Sequence, residues 1–558
     1  MSRHGPGICL ILSPGSGVGH ITSDLWRSLT MSSTEYIRPR GADERPDRDP
    51  TTDPAARDTA AQDTAAVGDA TDAAVEPYAW TDAKRYLWLL GLIPAMGLFL
   101  SMPFVIGFNG LGLGWAATAA WFLLPVLVYV AIPLGDLAVG ADGQNPPDEV
   151  MDRLEADPFY RWCTYLYIPF QYASLIVACY LWTAQDLSWL GYDGGLGIAA
   201  SIGVAWTVAI TGGIGINTAH ELGHKIAGSE KWLSKVALAT TGYGHFFIEH
   251  NRGHHARVAT PEDPASSRFG ESFWAFLPRS VVGSARSAWH LESERLGRLG
   301  KSPWTIRNDN LNAWLMTVVL FGGLIAVFGW EVAPWLLVQA VFGFSLLEVV
   351  NYLEHYGLKR QKTSAGRYQR CRPEHSWNSD HLVTNIFLYH LQRHSDHHAN
   401  PMRRYQVLRS FEQAPQLPSG YATMMVLAYV PPLWRKVMDK RVLAHYDGDI
   451  TRANIQPSKR EKILARHGVD AAAAGSTAVA EKVVADTDIA ADQTSPTGEY
   501  VCPNCGHHYS EAAGEPREGF PPGTPWSAIP TTWRCSDCGV RDKVDFLPVK
   551  DYKDDDDK

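Results

Sequence analysis

The sequence has no recognisable secretory leader: its one early apolar run, residues 8–12, is too short for the hydrophobic core of a signal peptide. It also lacks a basic stripe with interleaved aromatics, which argues against a nucleic-acid partner, and a formal charge of −9 discriminates among no other partners. Residues 41–74 are Ala, Asp, Thr, Arg and Pro with almost no large apolar side chain, so they cannot bury a core. Residues 1–80 therefore read as a disordered leader, within which Met31 is an alternative start to Met1. Cysteine is scarce. Of eight, Cys9, Cys163, Cys179 and Cys371 are scattered, and the rest form two Cys-x-x-Cys pairs, which suits a metal better than a secreted disulfide framework.

Charge is missing from whole stretches as well. Residues 86–108, 110–135, 162–185, 194–219 and 311–330 carry none, and 332–352 carries only Glu348. At 1.5 Å per residue each can span a bilayer, and buried helices of a soluble core rarely stay uncharged so long. The expected fold is an all-α bundle of six transmembrane helices. Loops after the first, third and fifth spans contain no Lys or Arg, whereas Lys84, Arg85, Arg153, Arg161, Lys225, Lys231 and Lys359 flank the other ends. By the positive-inside rule both termini and the segments 220–310 and 355–465 are cytoplasmic.

The expected domains are a membrane domain over 81–465, a flexible Ala/Val/Asp/Thr-rich linker over 466–498 and a compact Gly/Pro-rich domain over 499–550. The final eight residues, 551–558, look like an expression tag; they carry five Asp and two Lys, leaving −6 for the remainder. A flexible linker of this length has a root-mean-square reach of about 30 Å.

Histidine is what the membrane domain has in quantity. His394, His397 and His398 stand at i, i+3 and i+4, which stacks three imidazoles on one helix face. His220 and His224 stand four apart, His250, His254 and His255 at i, i+4 and i+5, and His355 stands alone. Stacked imidazoles gain nothing as a core, so the spacing asks for metal. Nine are too many for one ion and suit two. All four groups fall at one membrane face. Glu221, Glu249, Glu354 and Asp396 neighbour these histidines and are candidates to accept their free ring N–H. His245, His375, His381 and His390 lie nearby without paired spacing and read as hydrogen-bonded helpers.

His220-Glu221-Leu222-Gly223-His224 matches the zinc-protease signature, with Glu221 as general base. A zinc protease needs three protein ligands, so the surplus histidines weigh against that reading. A non-enzymatic metal carrier would need ionisable residues within the spans, and these have almost none. An all-histidine shell with open positions suits iron and O₂.

The motifs His-Glu-Leu-Gly-His-Lys (220–225), Glu-His-Asn-Arg-Gly-His-His-Ala-Arg-Val-Ala-Thr-Pro-Glu-Asp-Pro (249–264), Asn-Tyr-Leu-Glu-His-Tyr-Gly (351–357) and Leu-Gln-Arg-His-Ser-Asp-His-His (391–398) resemble, in this order, the membrane-bound alkane hydroxylases. These are non-haem di-iron enzymes. The resemblance covers residues 80–465 and implies that His220, His224, His250, His254, His255, His355, His394, His397 and His398 hold two iron ions. It implies O₂-dependent terminal hydroxylation of medium-chain alkanes in the bacterial inner (plasma) membrane. A fatty-acyl or aryl-methyl hydroxylase, or a desaturase, is the alternative within the same chemistry.

Cys502, Cys505, Cys535 and Cys538 form a tetrathiolate site for which zinc and mononuclear iron both fit the spacing. Tyr500, the Ile-Pro-Thr-Thr-Trp run at 529–533 and Phe546 resemble the aromatic shell of a rubredoxin, although Trp526 stands where those proteins often have Phe. A rubredoxin implies one iron, one electron per delivery, and a flavin-dependent NAD(P)H rubredoxin reductase as partner.

Overall fold

A computed structural model describes residues 80–364, 366–469 and 495–549. The leader before residue 80, the centre of the linker at 470–494 and the tag-like 551–558 lie outside the described residues. The chain divides into two units, Met1–Ala83 and Lys84–Lys558, and every helix and strand among the described residues belongs to the second.

In chain order the main helices are α1 (Arg85–Gly110), α2 (Gly114–Ala120), α3 (Leu123–Val139), α4 (Pro158–Thr183), α5 (Ile198–Gly223), α6 (Gly228–Ala239), α7 (Phe273–Arg298), α8 (Asp309–Phe328), α9 (Trp330–Glu354), α10 (His394–Ala399), α11 (Tyr421–Ala428) and α12 (Pro431–His445), with shorter helical turns besides. Of these, α1, α4, α5, α8 and α9 are long and apolar enough to cross a membrane. The second expected span is α2 and α3 together, bent by 59°. The described residues therefore hold five or six candidate spans, the sixth depending on that bent pair. Pro125 enters just after the bend and removes a donor from the ladder. At the break, the carbonyl of Trp121 accepts instead from the Thr207 hydroxyl of α5 at 2.7 Å, so no backbone oxygen is stranded in an apolar setting.

The spans differ sharply in burial. In α5, 78% of the apolar window is buried and in α8 only 11%, which puts α5 at the centre and α8 outside, its Val318, Val319 and Val327 exposed. Helices α5 and α9 meet at glycine: a Cβ on Gly213 would stand 2.7 Å from the Gly343 carbonyl. Small residues permit this approach where lipid supplies no hydrophobic drive between helices. The close packing aligns the ends of α5 and α9, which carry His220, His224 and His355.

The C-terminal domain is a three-stranded antiparallel sheet ordered β2–β1–β3, from β1 (Glu499–Val501), β2 (His508–Ser510) and β3 (Leu547–Pro548). Its core is aromatic, with Tyr500 stacked on Trp526 at 4.1 Å and Trp533 and Phe546 against them. Position 526 thus fills the same core with an indole.

Candidate metal centres

The nine histidines converge and sort into two groups. One holds His220, His224, His250, His255 and His397; the other holds His254, His355, His394 and His398. Within each group one nitrogen per ring lies within 4.8 Å of every other. The groups are neighbours, with His255 and His398 ring centroids 4.3 Å apart. Consecutive residues reach different groups at His254–His255 and again at His397–His398, because adjacent helical side chains diverge.

Local backbone explains the awkward i, i+4, i+5 spacing of the second motif. Glu249–His254 is a π-helical turn, in which the N–H of His255 donates to the His250 carbonyl. An i→i+5 turn brings His250 and His255 to one side; such turns are rare and concentrate at functional sites. A Cβ on Gly253 would stand 2.4 Å from Glu249 Oε2 and 2.6 Å from Arg257 Nη2, so a larger residue there would displace the Glu249–Arg257 pair.

The donor set fits metal. His254 Nδ1 donates to Asp263 Oδ2 at 2.9 Å, which fixes that tautomer and leaves Nε2 as a buried lone pair with no hydrogen-bond partner. His355 Nδ1 faces the His375 carbonyl at 3.2 Å, and its Nε2 faces His394 Nε2 at 3.3 Å. Further nitrogens crowd one another, His220 and His397 at 2.7 Å and His394 and His398 at 2.8 Å. Burial first, then neighbouring rings, hold the pKa of His250, His255, His394, His397 and His398 well below the usual range; burial pushes His355 down to about 3. Neutral imidazole is the ligating form. Nine buried rings in two adjacent clusters suit a di-iron site.

Three of the four carboxylates singled out by adjacency take other partners. Glu221 pairs with Lys225 at 3.1 Å, Glu249 with Arg257 at 2.8 Å, and Asp396 with Arg403 at 2.8 Å while accepting from the Arg409 N–H. Glu354 Oε2 alone reaches a ligand candidate, 3.2 Å from His394 Nε2. Next-door residues on a helix point apart, so adjacency was a poor guide. The carboxylate that does orient a ring, Asp263, sits nine residues beyond His254. The only signal for it was the Pro-Glu-Asp-Pro turn, whose Pro261 and Pro264 fold the chain back. Replacing Asp263 by Asn is expected to lower iron retention or turnover about 10- to 100-fold, the usual effect of losing such a partner. Iron per chain after chelator dialysis measures it. His245, His375, His381 and His390 stand outside both groups; His390 Nδ1, for example, faces the Tyr405 carbonyl at 2.9 Å.

The four cysteine sulfurs of the C-terminal domain also lie within 4.8 Å of one another, Cys505 and Cys535 at 3.5 Å and Cys502 and Cys538 at 3.8 Å. The domain rests against the histidine-bearing face. Glu518 pairs with Arg252, and Arg298 Nε donates to the Glu518 carbonyl at 2.7 Å. Arg517 reaches Asp309 at 2.9 Å and Arg370 reaches Asp545 at 2.6 Å. Burial by itself would raise the Glu518 pKa, but Arg252, Arg298 and Arg295 outweigh it and hold it below its ordinary value. At the centre, Gly539 after the last cysteine meets the Asn251 carbonyl so closely that a Cβ would stand 2.2 Å from it.

Family comparison agrees. The fatty acid desaturase family model matches residues 197–428, and the rubredoxin family model matches residues 499–546. The chain is 46% identical over 389 residues to the alkane 1-monooxygenase of Acinetobacter baylyi, covering 70% of this chain and 92% of that protein. It is 42% identical to alkane 1-monooxygenase 1 of Alcanivorax borkumensis over 72% of this chain and 96% of that one. The xylene/toluene monooxygenase hydroxylase component of Pseudomonas putida is 26% identical over 47% of this chain and 68% of its own length. With such identity across nearly the whole of its relatives, and the histidine motifs gathered into two metal-binding groups, the chain belongs to the alkane 1-monooxygenase family and carries a rubredoxin domain at its C-terminal end.

Proposed function

We propose that this protein hydroxylates the terminal carbon of medium-chain alkanes, one atom of O₂ entering the C–H bond and the other leaving as water, with two electrons and two protons consumed. The single observation that carries this is the convergence of nine buried imidazoles into two adjacent groups at the end of an apolar bundle. When bound there, two irons would activate O₂. The residues around them hold and orient. His220, His224, His250, His255 and His397 serve one ion and His254, His355, His394 and His398 the other, with Asp263 keeping the His254 proton on Nδ1.

An apolar cavity of about 40 Å³ lies among the spans, lined by Ile214, Asn217, Leu346, Val350, Leu391 and Met425. Asn217 stands one helical turn before His220 on α5, and Leu391 stands three residues before His394 in the turn that leads into α10, so the cavity leads toward the metal groups. An alkane dissolved in the bilayer would enter through it without crossing water, and a dry site protects the reactive oxidant from side reactions. The cavity is narrow, so its side chains must shift to admit a chain.

Electrons enter from the rubredoxin domain, one per delivery. Gly539 adjoins Cys538 and touches Asn251, which adjoins His250, so the two metal sites are joined through a short covalent and contact path. The bundle has six spans with the bent pair as one. Both termini and the metal sites face the cytoplasm of a bacterial inner membrane, by the Lys and Arg of the flanking loops. A flavin-dependent NAD(P)H rubredoxin reductase recharges the rubredoxin.

Metal analysis with a visible spectrum, then anaerobic reduction and exposure to O₂ with octane, tests the reading. About three irons per chain, a thiolate–iron band that bleaches on reduction, and 1-octanol are expected. Zinc without colour or alcohol would sink it. Parallel assays with toluene and a fatty acyl substrate separate the aryl-methyl and acyl alternatives; the 40–46% identity to alkane 1-monooxygenases against 26% to the xylene/toluene component favours octane.

Tethering raises the local carrier concentration to about the millimolar range. Cutting the chain between the domains is therefore expected to raise the rubredoxin concentration needed for half-maximal turnover. A severed mixture equally active at low micromolar concentration would make the tether irrelevant to delivery.

A further inference from the structure

A second cavity, of about 500 Å³, lies where the rubredoxin domain meets the membrane domain, and none of the nine histidines lines it. Its walls carry Lys231 and Lys235 of α6, Arg295 of α7, Lys301, Arg307, and Arg517 of the rubredoxin domain, against one carboxylate, Asp309. Three of these cations are committed: Lys235 and Arg517 to Asp309, and Arg295 to Glu292. Lys231, Lys301 and Arg307 have no side-chain hydrogen bond or ion pair among the described residues. Lys231 is also half-buried, and burial, with Arg517 and Arg252 facing it, holds its pKa below the ordinary value although Asp537 and Asp309 act the other way. A cavity lined by six cations and a single carboxylate is built for an anion.

Its place decides which anion. Asp309 in the wall is the first residue of α8, whose exposed Leu315, Val318 and Val319 continue into the apolar layer, and α6 follows the metal-bearing end of α5. The rim is amphipathic: Trp232 and Ile306 line the cavity and are exposed, and Trp304 nearby is exposed too. Exposed tryptophan beside basic residues marks the headgroup level of a membrane boundary. Basic pockets between helices at that level bind anionic headgroups. We infer that this cavity holds the phosphate headgroup of an anionic phospholipid, which Lys231 and Arg307 clasp from the membrane domain and Arg517 from the rubredoxin domain, through the guanidinium N–H groups that its single bond from Nη2 to Asp309 leaves over. Because both domains contribute, the lipid also steadies the docked rubredoxin.

The full chain, delipidated in neutral detergent, is titrated with fluorescent phosphatidylglycerol and, separately, with phosphatidylcholine and inorganic phosphate. Saturable binding of phosphatidylglycerol, weak binding of phosphatidylcholine, and no displacement by millimolar phosphate are expected. The double variant Lys231→Gln/Arg307→Gln should bind about thirtyfold more weakly, a factor of about five for each charge removed. Lys231→Arg should bind as the parent does. Unchanged iron content and rubredoxin spectrum in each variant establish that it is folded. Equal phosphatidylglycerol affinity in parent and double variant would overturn the site, and inorganic phosphate binding as tightly as the lipid would overturn the lipid assignment in favour of a free-anion site.

Discussion

Replacing His398 by Ala is expected to abolish alkane turnover and weaken iron binding in the four-histidine group, while the rubredoxin band stays intact. The loss should exceed about 100-fold, the upper range for an outer partner such as Asp263, because a ligand itself is removed. His398 faces His394 at 2.8 Å within its own group and lies 4.3 Å from His255 of the other, so its loss opens the boundary between the groups. The five-histidine group, with all its members in place, should retain metal. Iron per chain and 1-octanol formation are the two readouts. Full activity in the variant would remove His398 from the ligand set.

Gly539→Ala should slow electron delivery without touching either metal. The residue has φ +68°, and its Cβ would be driven to 2.2 Å from the Asn251 carbonyl, a backbone atom that cannot swing aside. Overpacking of this kind costs about 1–3 kcal/mol, which weakens docking about 5- to 150-fold. Gly506, in the equivalent position of the other cysteine pair, has φ +71° and nothing within 4 Å of its Cβ. Gly506→Ala thus carries the same backbone strain without the interface clash. Reoxidation of reduced rubredoxin by the membrane domain should slow in Gly539→Ala and remain near normal in Gly506→Ala. Equal slowing in both would assign the effect to the rubredoxin fold, not to docking.

Much of this molecule was legible as pattern. Uncharged runs located the spans because lipid tolerates no unpaired charge. They missed the 59° bend at Trp121, because the compensating hydrogen bond comes from Thr207, 86 residues away. Histidine spacing revealed metal since imidazoles at helical intervals have no better use together. Proximity in sequence misled for the carboxylates: Glu221, Glu249 and Asp396 bond cations, whereas Asp263 arrives through a turn.

The sequence alone determined the chemistry available: nine imidazoles in four motifs, four cysteines in two Cys-x-x-Cys pairs, and long uncharged apolar runs. These are local properties, written in side-chain type and spacing. The tertiary structure alone decided how the imidazoles divide, five and four. It also decided that Gly539 rests on Asn251 beside His250, and that cations from both domains share one cavity. Those facts depend on the angle at which α5, α9, α10 and the π-helical turn meet, and that angle is set by close packing such as Gly213 on Gly343 among residues far apart in the chain.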